Sequence, residues 1–140
     1  MTDYLDYICA AVGASVGYFF GGFDGFIHAL IAFTIIDYIT GIWAAGVRNE
    51  LSSRIGFKGI RRKCTIFLIV GVVHVIEKEL FGGTKELLRD GVICFYLSNE
   101  GLSILENADT IGITIPEFIR KRLLQLKEKY NENDDTKTVA

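Results

Sequence analysis

FIHALIAFTIIDYITGIWAAGV, residues 26–47, is apolar from end to end except for His28, Asp37 and a few small or hydroxyl side chains. A helix needs about 20 predominantly apolar residues to cross about 30 Å of bilayer hydrocarbon, and this stretch has that length and composition. Its small and polar residues are ordered. Thr34, Asp37, Gly41, Ala44 and Ala45 share one side of a helix, at i, i+3, i+7, i+10 and i+11. A lone carboxylate at the centre of a spanning helix costs roughly 2.5–3.5 kcal/mol on insertion scales. Asp37 must therefore face protein, water or a partner, or be protonated, and a functional role and a structural hydrogen bond are equally compatible with it.

Three further apolar blocks flank this one, over residues 5–23, 64–81 and 91–106, and the charges fall between them. The pattern predicts an all-α, multi-pass membrane protein with four transmembrane helices (about 5–23, 26–47, 64–81 and 91–106). Residues 1–115 form the transmembrane domain, and 116–140 a short cytoplasmic amphipathic helix, opened by Pro116, with a disordered tail. Gly21, Gly22 and Gly25 suit a tight reversal between the first two blocks. Arg48, Arg54, Lys58, Arg61, Arg62 and Lys63 crowd the segment between blocks two and three against Glu50 alone, and the tail is also rich in lysine and arginine. Basic loops stay inside, which puts the 48–63 segment and both termini in the cytoplasm. Arg54, Lys58, Arg61, Arg62 and Lys63 are then placed to contact lipid head groups. An amphipathic 91–106 helix lying flat on the membrane is the rival to a fourth span.

Gly13, Gly17 and Gly21 recur at four-residue spacing in block one, so backbones can approach closely along that face. With Gly41, they are the expected helix-packing or oligomerisation positions, within one chain or between copies. In block four, Tyr96, Asn99, Glu100, Ser103, Glu106 and Asn107 fall within an arc of about 120°. Hydrocarbon against such a stripe costs several kcal/mol, so it has to face a water-filled lumen, pack on polar groups of blocks two and three, or lie at the interface. Asp37, His74, Asn99, Glu100, Ser103 and Glu106 are accordingly expected at a polar lumen or in buried polar contacts. His74, Glu77 and Lys78 are neighbours on one helix face.

The net charge of −2 decides little, and 50% hydrophobic content is also within reach of a soluble domain. Three cysteines, Cys9, Cys64 and Cys94, sit in different blocks with no C-x-x-C spacing, which argues against a disulfide framework or a zinc site. Asp3 and Asp6, with no basic residue near them, are the wrong charge for a signal peptide, so block one is expected to be retained. No nucleophile–base pair, ligand set or nucleic-acid signature stands out. The expectation is no catalytic residue, no metal, no cofactor and no nucleic-acid partner.

The ordered set Asp37-Tyr38-Ile39-Thr40-Gly41, Glu50-Leu51-Ser52-Ser53, Gly56-Phe57-Lys58-Gly59-Ile60 with Arg62-Lys63, and Asn99-Glu100-Gly101-Leu102-Ser103-Ile104-Leu105-Glu106-Asn107, closed by Gly112-Ile113 and Pro116-Glu117, resembles the toxin secretion/phage lysis holins. The resemblance spans roughly residues 27–129. It implies a phage protein of the bacterial host's cytoplasmic membrane that forms homo-oligomers and opens timed lesions. Its functional partner would be an endolysin, or a large secreted toxin in related systems, and it would have no enzymatic active site. A non-pore membrane adaptor and a small oligomeric ion channel are the alternatives.

Overall fold

The computed structural model describes residues 2–83, 86–122, 124, 125 and 128. It is all-helical among these residues, with α1 (Thr2–Phe20), α2 (Gly25–Val47), α3 (Ser53–Phe81) and α4 (Leu87–Ile111). A further short helical stretch covers 117–122. It belongs to the expected cytoplasmic helix, most of whose remainder lies outside the described residues.

Local chemistry sets each boundary. The α1–α2 turn runs through Gly21 and Gly22 at φ +76° and +92°, where a side chain would be strained. Asp24 then caps α2, accepting from Ile27 N at 3.1 Å. Ser52 caps α3 in the same way through Ile55 N. Gly82 and Gly112, both left-handed, end α3 and α4. The N-terminus of α4 is capped from another helix: Glu77 accepts from Leu88 N at 2.9 Å and from Arg89 N at 3.0 Å. That carboxylate satisfies two of the donors a helix start leaves open.

Three boundaries differ from the sequence expectation. Block one ends at Phe20 rather than residue 23, because the glycines form the turn. Block four runs from Leu87 to Ile111, longer at both ends than 91–106. The largest difference is in block three. The basic segment is not a loop up to residue 63; its second half is the first turns of α3, which starts at the Ser52 cap. Gly56 and Gly59 present bare backbone there to Tyr38, whose side chain would lie 3.4–3.5 Å from a Cβ at either position.

The packing puts charge inside and hydrocarbon outside. Ile27, Leu30, Ile66, Val70 and Ile93 form a small apolar core, with Phe20, Ile31, Phe67, Val92, Tyr96 and Leu97 packed against it. Thr34, Asp37, His74, Glu77, Arg89 and Glu100 are buried with them. Meanwhile Ile35, Ile36, Ile39, Trp43, Leu68, Val72, Ile76 and Leu80 are exposed. A water-soluble bundle distributes these groups the other way round. α2, at 23 residues, is about 34 Å long and is the one helix among the described residues long and apolar enough to cross a bilayer on its own composition.

α4 packs along α2 and α3, while α1 lies against α3. A Cβ on Gly71 would fall 1.9 Å from Phe19 Cε1, so α3 receives α1 at a bare backbone. At the same seam Tyr18 donates to Glu79 at 2.7 Å, and Lys78 Nζ sits 4.0 Å above the Tyr18 ring. Gly71→Ala is expected to cost about 1–3 kcal/mol by overpacking, read as a lower unfolding midpoint in detergent. Gly13→Ala should carry no such cost and raise the midpoint slightly, by about 0.5–1 kcal/mol of helix propensity, since nothing lies within 4 Å of a Cβ at that position.

Candidate functional site

Two polar layers bracket the apolar core. The inner one is a buried ion cluster shared by three helices. Asp37 lies ten residues before the end of α2, and Lys63 ten residues after the start of α3. In an antiparallel hairpin this puts both about 15 Å from the connecting turn. Lys63 Nζ bonds Asp37 Oδ2 at 2.5 Å and also bonds Glu100 Oε2 from α4. Arg62 Nη2 stands 3.7 Å from the other Glu100 oxygen. Asn107, two turns along α4, donates to Asp37 Oδ1 at 3.0 Å and lies 3.1 Å from Thr40 Oγ1. Two carboxylates thus share one ammonium, with a guanidinium at the rim, so each buried charge has an opposite charge beside it. A recess of about 200 Å³, lined in part by Tyr38, Gly41, Arg48, Arg62, Ser103 and Asn107, leads from the α2–α3 turn to this cluster.

The outer layer is built around Arg89, whose side chain is fully buried. Its Nη1 donates to Asp24 (2.7 Å), Asp90 (3.0 Å) and Glu86 (3.2 Å). Its Nη2 reaches Asp24 Oδ1 and Gly22 O, and its Nε donates to Phe20 O at 2.6 Å. One guanidinium therefore ties the α1–α2 turn to the start of α4. These bonds hold the Asp24 carboxyl below the usual carboxylate range.

The sequence-derived positions divide between these layers. Asp37 and Glu100 meet in the inner cluster, so the polar stripe of α4 packs on polar groups of α2 and α3, one of the three arrangements open to it. Ser103 is half-buried on the recess wall and Asn99 is half-buried, while Glu106 is exposed and outside the cluster. His74 is buried at the opposite, outer end. Gly41 faces the Asn107 amide, with 3.6 Å between that nitrogen and a Cβ placed there. Gly13, Gly17 and Gly21 do not form one seam within the chain. Gly13 is open, Gly17 meets only the Phe23 ring at 3.9 Å, and Gly21 is a turn residue lying against His74. Arg54, Lys58 and Arg61 are exposed, and Arg62 is 64% exposed. Lys63 is a correction: it is 14% exposed and consumed by two carboxylates, because the helix begins ten residues earlier and turns it inward. Sequence reading also passed over Arg89, Asp24 and Glu86. The available signal was charge balance: Asp37 has no lysine or arginine on α2, Glu100 has none on α4 nearer than Arg89, and Lys63 lies as many residues from the α2–α3 connection as Asp37 does.

Comparison with known proteins bears directly on this architecture. The bacteriophage holin family matches residues 14–128, most of the chain. The chain belongs to the bacteriophage holin family. A probable holin of Bacillus phage phi105 is 36% identical over 113 residues, covering 79% of this chain and 82% of the phage protein. Uncharacterized proteins of Listeria monocytogenes (42% identity; 88% of this chain, 86% of the relative) and Clostridium perfringens (38%; 86% and 88%) are also similar. No solved structure matches. Membership of a holin family implies a non-enzymatic protein of the cytoplasmic membrane.

Proposed function

We propose that this holin crosses the bacterial cytoplasmic membrane four times, with both termini inside, and oligomerises there to open timed lesions that release an endolysin. The supporting observation is the inverted packing: Arg89, Glu100, Asp37 and Glu77 are buried, while Ile39, Trp43, Leu68 and Leu80 are exposed. Hydrocarbon favours both halves of that arrangement. Hydropathy scores each charge singly, so α3 and α4, like α1 with its exposed Asp3 and Asp6, fall below the level of an independent span. The inward charges of α3 and α4 are compensated in groups, and the bundle they complete with α2 presents an apolar exterior.

On this reading the single bundle is the stored form. Its polar stripe is internally satisfied, and assembly exchanges those contacts for a hydrated lumen lined by Asp37, Glu100, Ser103 and Asn107. The exposed Gly13 face of α1 suits contact between copies. A charge moved through the membrane field gains about 2.3 kcal/mol per 100 mV, so loss of potential would favour rearrangement of charged helices. Export of a large toxin would use the same lesion. A small selective channel and a pore-free adaptor are weaker readings.

Induced expression in bacteria with and without an endolysin tests the proposal. Abrupt, timed lysis that needs both proteins is expected; gradual growth arrest indifferent to endolysin would sink it. Asn107→Ala should bring lysis forward, because it removes the donor to Asp37 Oδ1 and loosens the α2–α4 contact without removing a charge.

A further inference from the structure

The outer polar layer carries more negative charge than its packing uses. Asp24, Glu86 and Asp90 share the single guanidinium of Arg89, and one oxygen from each lies within 4.8 Å of the others. Glu77 adds a fourth carboxylate close by, with both oxygens engaged by backbone N–H groups. His74 faces this layer. It is 5% exposed, and its Nδ1 has no hydrogen-bond partner among the described residues. That nitrogen and Glu86 Oε1 are 3.6 Å apart, beyond hydrogen-bond reach, and line a recess of about 240 Å³ with Gly17, Gly21, Gly22 and the Lys78 side chain, whose ammonium lies over the Tyr18 ring.

From these contacts we propose that His74 Nδ1 and Glu86 Oε1 form a binding site for a divalent transition-metal ion of the zinc class. An ion about 2.0–2.1 Å from both atoms would subtend about 120° across their separation, within the range of a four-coordinate site. Glu86 is already oriented for this: Arg89 holds its Oε2, leaving Oε1 turned to the imidazole. Gly21 keeps the space clear, since a Cβ there would stand 2.6 Å from His74 Nδ1 and 2.9 Å from Glu86 Oε1. Water completes the coordination, and Asp24, Glu77, Glu86 and Asp90 against Arg89 and Lys78 leave the layer net negative, which favours a cation. A nitrogen donor selects zinc or cobalt over magnesium or calcium. The ion would join α3 to the segment before α4, and the site does not depend on lesion formation.

Cobalt is the probe, added to the full-length chain in detergent with Cys9, Cys64 and Cys94 changed to serine so that no thiol competes. One equivalent should bind with visible d–d absorption, zinc should displace it, and zinc but not magnesium should raise the unfolding midpoint. His74→Gln should abolish binding and stabilisation, Glu86→Gln should weaken both, and His28→Gln should change neither. Cobalt binding of unaltered strength in either His74→Gln or Glu86→Gln overturns the site. So does stabilisation on acidification alone with none from zinc, which would mean that a protonated His74 pairs with Glu86. Should His74→Gln not fold, Glu86→Gln, which keeps an oxygen for Arg89, decides the matter.

Discussion

Replacing Lys63 with methionine is expected to destabilise the bundle by about 3–5 kcal/mol, the usual cost of removing one partner from a buried ion pair. Methionine keeps an unbranched apolar stem and is shorter only by the terminal atom, so the loss is chiefly that of the charge. Without it, Asp37 and Glu100 are two carboxylates together in the buried cluster, with only the Arg62 cation at 3.7 Å from one of them. Denaturant or thermal unfolding in detergent, followed by circular dichroism, measures the change. The triple variant Lys63→Met, Asp37→Asn, Glu100→Gln should recover most of the stability, since it removes the buried charges together. A triple variant as unstable as the single one would show that packing, not charge, makes Lys63 necessary. The pair of variants also bears on lysis: the single variant should accumulate poorly or open early, and the triple should accumulate normally.

Arg89→Leu should be at least as damaging, again about 3–5 kcal/mol, because it strands several partners at once. Three carboxylates lose their cation, and the carbonyls of Phe20 and Gly22 lose the donor that ties the first turn to α4. Arg89→Lys keeps the charge but cannot span Asp24 in two-point contact while also reaching Phe20 O, so it should restore only part of the loss. Limited proteolysis at the 21–24 turn provides a second readout: cleavage should be fast in Arg89→Leu, intermediate in Arg89→Lys and slow in the parent. Equal protection in all three would mean that the turn is held by its glycines and the Asp24 cap alone.

The two clusters differ in how visible they were beforehand. The demand for the inner one could be read directly: a carboxylate at residue 37 in an apolar run, and a polar stripe on the 91–106 helix, both require shelter. Its answer could not, because Lys63 sits in a basic stretch that reads as a loop on the head groups. The helix starts at the Ser52 cap, ahead of residues 54–63, and Lys63 then falls on its inward face. Asn107 was on the stripe, yet its partner 70 residues away followed from the α2–α4 crossing. The outer cluster gave less warning still. Arg89 stands just before an apolar block, where a solvated arginine is the ordinary expectation, and its burial comes with the α1–α2 turn, Glu86 and Asp90 gathered on it.

Local sequence therefore determined the helices, their caps at Asp24 and Ser52, the glycine turns and the presence of polar faces that could not be left against hydrocarbon. These depend on short-range hydrogen bonding, backbone freedom and periodicity, all of which act within a few residues. The tertiary structure decided which charges neutralise one another, that Gly71 rather than Gly13 receives a neighbouring helix, and that Arg89 and Lys63 lie inside. Ion pairing and close packing depend on distances between helices far apart in the chain, and no pattern along one segment specifies those distances.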